Sequence, residues 1–206
     1  MVVNARSMTV ALMMAVAYKI LLKVGHVVVP SFFEVPAVRA VNTLLSAAVA
    51  VVIILFLVAF HNEEGAGGRL GTVLKVLIAC LILRFILRMG AALDHQAVRL
   101  AGEALGVLVS ILLFVVIAIY RRRIASGRSS LRGAATVVEV MLGIGAVKSL
   151  VSFGYLVRFV ASGVITEFPQ ALYSVMLVLF LVTSGSLLYF LFRYYELKSA
   201  AAGRGA

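Results

Sequence analysis

Tryptophan is absent from this 206-residue chain, cysteine occurs once, proline three times, and only 13% of the residues are charged. The lone Cys80 excludes an intramolecular disulfide and a paired-cysteine zinc site. It lies in an apolar run, where a thiol serves as a small hydrophobe. So few charges exclude a water-soluble domain, whose chains are about a quarter charged and about half apolar. Enzyme signatures are missing as well. The stretch Gly65 to Thr72 (GAGGRLGT) has no lysine before its threonine and does not fit Gly-x-Gly-x-x-Gly, so it is no phosphate-binding loop. There is no Gly-x-Ser-x-Gly, no His-Glu-x-x-His and no pair of intramembrane acids, and the connections are too short for a separate catalytic domain. His26, His61 and His95 fall at the ends of apolar runs or between them, which leaves no basis for a haem ligand pair. The expectation is a non-enzyme with no cofactor and no metal.

Hydrophobic residues make up 64% of the chain, and the mean hydropathy is +1.15. They gather in six runs, at about 8–29, 38–60, 70–91, 100–120, 134–161 and 169–194. Each is near the ~20 residues a helix needs to cross a ~30 Å hydrocarbon layer. Backbone in lipid must satisfy its own hydrogen bonds, which makes these runs helices. The separators carry turn chemistry: Pro30 and Pro36 around the first, a glycine-rich polar segment from His61 to Gly71, and a basic segment from Arg121 to Gly133. The first run, with Arg6 before it and Ala15-Val16-Ala17 within it, has some features of a cleavable signal. It continues past Lys19 to Val29, so it reads as a retained helix. The fold class is therefore all-α, a polytopic membrane protein of six transmembrane helices in one integral membrane domain, 1–206. Its helical hairpins fall at about 8–60, 70–120 and 134–194.

Nineteen Lys and Arg stand against eight Asp and Glu, a formal net charge of +11. Ten of the basic residues lie at the termini or in two alternate connections, the positive-inside pattern. This pattern places both termini in the cytoplasm of a multi-pass cell-membrane protein. Tyr120, Phe192, Tyr194 and Tyr195 are then expected at the inner interface, with Phe32, Phe33 and Phe168 at the outer one. The basic excess thus reads as topology and contact with anionic lipid, not as nucleic-acid binding.

The odd-numbered runs align with each other: Lys19-Ile-Leu-Leu-Lys23-Val-Gly25, Arg84-Phe-Ile-Leu-Arg88-Met-Gly90 and Lys148-Ser-Leu-Val-Ser152-Phe-Gly154, at steps of 65 and 64 residues. The even runs align through Ser46, Ser110 and Ser174 at steps of 64. A pseudo-threefold repeat of parallel hairpins is one explanation and chance similarity in a low-complexity apolar sequence is the other. The chain resembles the mitochondrial carriers only in the count of three two-helix units. It is much shorter, and no Pro-x-[Asp/Glu]-x-x-[Lys/Arg] closes its odd helices, so no family is assigned.

A cation at mid-membrane is costly unless paired or wetted, which makes Lys19, Arg84 and Lys148 candidate ligand-binding residues. Lys23, Arg88 and Ser152 lie four residues on, along the same helical face. If these stripes converge, they form a basic, hydrated cavity for an anion or a phosphate-bearing ligand in a small transporter or channel. If they do not, the long side chains snorkel to the headgroups. Gly25, Gly90 and Gly154 are candidate hinges or packing points. Lys75 and Glu139, at equivalent repeat positions, are candidates for a structural ion pair. Thr183-Ser184-Gly185-Ser186 interrupts the last run, either as a site of unwinding or as hydroxyls bonded back to their own helix. The expected partners are the bilayer, an anionic solute or lipid headgroup, and a second copy or membrane partner subunit. A competing reading is a non-catalytic subunit or bilayer-sensing scaffold that packs against another membrane protein.

Overall fold

Alternation of long apolar segments with short polar ones leaves the chain little choice but to run back and forth. The computed structural model describes residues 4–64, 68–90, 96–124, 128–162 and 170–203. Among these the helices are α1 (Ala5–Val28), α2 (Pro30–Glu34), α3 (Pro36–Glu64), α4 (Gly68–Gly90), α5 (Gln96–Arg123), α6 (Ser129–Ser162) and α7 (Gln170–Gly203). All except α2 are long and apolar enough to cross a membrane.

Local chemistry sets the helix ends. Asn4 caps α1 by accepting from Arg6 N–H at 2.9 Å. Pro30 and Pro36 open α2 and α3, where a missing N–H costs nothing. The five-residue α2 was not legible in the hydropathy pattern, because one turn has no periodicity to show. Helix α7 runs nine residues past the expected end at 194, through Leu197 and an alanine-rich segment with good helix propensity. It is continuous through Thr183-Ser184-Gly185-Ser186. Thr183 and Ser186 each donate to a carbonyl four residues back, both at 2.7 Å, so the run does not unwind there.

The six long helices form a ring. Each packs mainly on its neighbours in the chain, and α7 closes the ring by packing on α1. One end carries the start of α1, the α3–α4 and α5–α6 connections and the end of α7. Glu63 Oε1, at the end of α3, accepts from Ala5 N–H at 3.0 Å, while Lys198 Nζ of α7 reaches Glu63 at 2.8 Å and Glu64 at 2.7 Å. Arg6 of α1 donates to the Tyr195 hydroxyl of α7 at 3.2 Å. This end also holds Arg121, Arg122, Arg123, Arg128 and Arg132, and is called the basic end below.

Packing is concentrated toward the basic end. In α1 the buried residues run from Ala5 to Ala15, in α3 from Phe56 to Phe60, and in α4 from Leu70 to Leu77. Phe60 of α3, Tyr120 of α5 and Tyr194 of α7 meet there, with ring centroids 5.0 Å (Phe60–Tyr120), 5.7 Å (Phe60–Tyr194) and 6.4 Å (Tyr120–Tyr194) apart. Such pairs contribute about 0.5–1.5 kcal/mol each beyond their area burial. Tyr120 and Tyr194 are thus interior residues and not part of an interfacial belt, because their rings fill the ring of helices from within. Positions one repeat step apart have matching burial: Ala5, Leu70 and Ala134 are almost wholly buried, and so are Thr9, Leu74 and Val138. Thr9 satisfies its hydroxyl on the Ala5 carbonyl at 2.7 Å.

The outward surface is apolar, as lipid contact requires: Leu21, Leu44 and Val28 are each 71% exposed. An uninterrupted surface of this kind would be an aggregation liability in water. Leu74→Ala is expected to destabilise the bundle by about 2–5 kcal/mol. Leu44→Ala should leave the melting temperature of the detergent-solubilised protein near that of the unaltered chain, and thermal unfolding of the two variants checks this.

Candidate functional site

Each odd-numbered span carries its cation on the face opposite to lipid. Lys19 is half-buried although Leu21 beside it is 71% exposed. Arg84 is half-buried beside Ile86 at 58%, and Lys148 is half-buried beside Val147 at 60%. A helix in water shows the reverse order. Two of these residues also lie well inside their helices, whereas Arg84 is six residues from the end of α4. Lys19 is nine residues from the end of α1, about 14 Å along the axis, and Lys148 is fourteen residues from the end of α6, about 21 Å.

Lys19 and Arg84 line one cavity of about 750 Å³ between α1, α2, α3 and α4. Lys19 Nζ donates to Ser46 Oγ of α3 at 2.8 Å. The guanidinium of Arg84 lies flat against α5 at Gly106, where a Cβ would come within 2.6 Å of Nη2. The glycine is what allows the arginine to lie there. Arg39 and Asn42, from the first turns of α3, join the lining, and Asn42 Oδ1 accepts from the Tyr18 hydroxyl at 3.1 Å. His26 stacks on Phe33 of α2 at 4.0 Å between ring centroids, which folds the short helix over the cavity mouth. Glu34 is the one acid among the described lining residues. This set can hold an anion: an ammonium, two guanidinium forks, and hydroxyl and amide donors in a low-dielectric wall.

Lys148 lies elsewhere. It lines a smaller space of about 220 Å³ between α5, α6 and α7, with Ser110, Ser149 and Thr183. Ser110 and Ser149 hydroxyls are 3.2 Å apart, which ties α5 to α6. Lys23 and Ser152 are half-buried. The Arg88 side chain and the surroundings of Gly90 lie outside what is described.

The glycines divide. At Gly25 a Cβ would lie 2.8 Å from Phe33 Cζ, so this residue lets α2 fold back onto α1. At Gly154 a Cβ would meet nothing within 4 Å, and the residue is exposed, so among the described residues it packs against no other helix. The expected Lys75–Glu139 pair is corrected. Glu139 takes Arg121 of α5 in a two-pronged ion pair, and Lys75 is exposed on α4. The reason is the ring order, in which α5 lies between α4 and α6.

Residue patterns alone missed Arg39 and Asn42, near the start of the second run. They also missed the Glu63–Glu64–Lys198 cluster that closes the basic end. The signal for the cluster was present, since Glu63 and Glu64 are adjacent acids in a connection at an end rich in positive charge. Ser46 was visible only as a marker of repeat register, and becomes a Lys19 partner once α3 packs on α1. No protein-family model matches the chain, nor does any curated protein or solved structure. What the fold defines is a class, a multi-pass helical membrane protein.

A double-mutant cycle checks the corrected pairing. Arg121→Ala and Glu139→Ala are expected to couple by about 1 kcal/mol in thermal or denaturant unfolding, and Lys75→Ala with Glu139→Ala by close to zero.

Proposed function

We propose that the chain is a small, non-enzymatic transport protein of the cell membrane, built as three tandem hairpins. Its cavity receives an anion or phosphate-bearing ligand from the face opposite the basic end. The observation that carries this reading is the inversion of Lys19 and Arg84, cations held inward toward a 750 Å³ cavity while their apolar chain neighbours face out. A merely snorkelling lysine or arginine would follow the lipid-facing surface to the headgroups. The shared burial of Ala5, Leu70 and Ala134 supports the hairpin repeat, and the charge distribution supports a cytoplasmic basic end with both termini inside.

The path is shut on one side. The Phe60, Tyr120 and Tyr194 rings fill the axis at the basic end, and the Lys198 ion pairs hold α3 to α7 there. A cavity that ends on apolar Ile53, Ile54 and Leu81, with packed rings further along the bundle, belongs to a gated carrier more than to a standing pore. The competing reading, a subunit that packs against another membrane protein, draws on the uncovered helix face at Gly154, where a neighbouring helix could approach closely.

Two measurements test the proposal. With Cys80 replaced by serine, single cysteines at Ser31 and Ser129 are expected to react with a membrane-impermeant maleimide from opposite sides of the membrane, Ser31 from outside. Reaction of both from one side rejects the topology. In proteoliposomes, Lys19→Gln with Arg84→Gln is expected to reduce uptake of labelled inorganic phosphate or sulfate at least tenfold, and Lys148→Gln by less. Flux that the double variant leaves unchanged rejects the anion pathway.

A further inference from the structure

The lining of the larger cavity changes character along the bundle axis. At the mouth the exposed polar residues Glu34, Arg39 and Thr43 stand beside apolar Pro30 and Phe33. A cationic band follows, formed by Lys19, Ser46 and Arg84. Beyond it, toward the basic end, the wall is Ala50, Ile53, Ile54 and Leu81, whose side chains have no polar atom. Ile53 is seven residues beyond Ser46 on α3, about 10 Å deeper along the axis. A hydrated inorganic anion has use for the band and none for the apolar floor. It is also small for the space, since a water occupies about 30 Å³ and an oxyanion only a few times that. Cavities of roughly 300–1,000 Å³ with apolar walls and a few placed polar groups are those that hold organic ligands.

We infer that the ligand is an anionic amphiphile, with a phosphate headgroup on Lys19 and Arg84 and an apolar tail along Ile53, Ile54 and Leu81. This rests on the reading of the cavity as an anion site and names the class of anion. Three features on the page converge on it. The guanidinium and ammonium suit phosphate oxygens, one as a planar fork and the other as a point charge. Basic pockets between membrane helices are suited to anionic headgroups. The direction of the gradient also matches that of a lipid in the leaflet remote from the basic end, with the charge nearer the membrane surface and the tail toward the midplane. Such a molecule enters the cavity without turning over. A headgroup that carries its own quaternary ammonium brings a positive charge against Lys19, Arg39 and Arg84, so the site discriminates against it.

The full-length protein in a neutral maltoside detergent is titrated calorimetrically with dihexanoyl phosphatidic acid below its micellar concentration. Parallel arms use inorganic phosphate and dihexanoyl phosphatidylcholine. Phosphatidic acid is expected to bind at least tenfold more tightly than either. Arg84→Gln is expected to weaken it at least fivefold. Ala50→Phe, which fills the apolar floor, should weaken phosphatidic acid while leaving inorganic phosphate unchanged. Lys19→Gln replaces Arg84→Gln if that variant does not remain monodisperse. Equal affinity for inorganic phosphate overturns the amphiphile and leaves the anion site standing. Equal affinity for phosphatidylcholine, or indifference to both cation variants, overturns the headgroup assignment. Binding of neither phosphatidic acid nor inorganic phosphate overturns the anion site itself.

Discussion

A cation within a membrane-spanning helix must meet water, a polar partner or the headgroups, because hydrocarbon offers it nothing. Much of this architecture answers to that constraint. Lipid contact claims the outer face of the long helices, as Leu21, Leu44 and Val147 show, and Lys19, Arg84 and Lys148 are left with the interior. An interior with room for them cannot be packed along its whole length. The ring arrangement meets both demands, because it leaves one space between α1, α2, α3 and α4 and another between α5, α6 and α7. Closure of α7 on α1 is therefore central to the fold, and it is secured where α1, α3 and α7 meet at Glu63.

The two ends of the ring solve different problems. Toward the basic end, small and branched residues such as Ala5, Ala134, Leu74 and Val138 bring the helices together around three aromatic rings. Ion pairs there are of secondary weight, since partly exposed pairs contribute little individually. Their placement matters more: Glu63 and Glu64 neutralise Lys198, and Glu139 neutralises Arg121, at an end crowded with positive charge. The opposite half contains the cations, the hydroxyls of Ser46 and Thr43, and the fold-back of α2 made possible by Gly25. Tight packing on one side and a polar void on the other give the molecule a direction, which a ligand pathway needs.

The contrast between the two cavities shows how far a repeat pattern carries. Lys19, Arg84 and Lys148 occupy equivalent positions, yet two share one space and the third has another. The departures are traceable to neighbours. Lys19 meets Ser46, Arg84 meets the bare backbone at Gly106, and Lys148 stands beside the Ser110–Ser149 contact. Equivalent positions place cations at comparable places in the chain, whereas the residues opposite decide what each one faces. The same logic separates Gly25, covered by Phe33, from its counterpart Gly154, covered by none of the described residues.

The helices were legible in the sequence because length and hydropathy are properties of each segment alone, and a segment in lipid has one way to satisfy its backbone. The cationic stripes were legible for the same reason: charges in an apolar run stand out without knowledge of the neighbours. Partnership was not legible. That Glu139 takes Arg121 and leaves Lys75 follows from α5 lying between α4 and α6. That Tyr120 and Tyr194 face the axis follows from which sides of α5 and α7 the ring turns inward. Hydropathy along a chain carries no record of the angle at which helices meet. Tertiary structure alone therefore decided which polar groups share a cavity, and the physical reason is that side-chain distances across a ring depend on helix order and rotation, two quantities that a one-dimensional pattern does not contain.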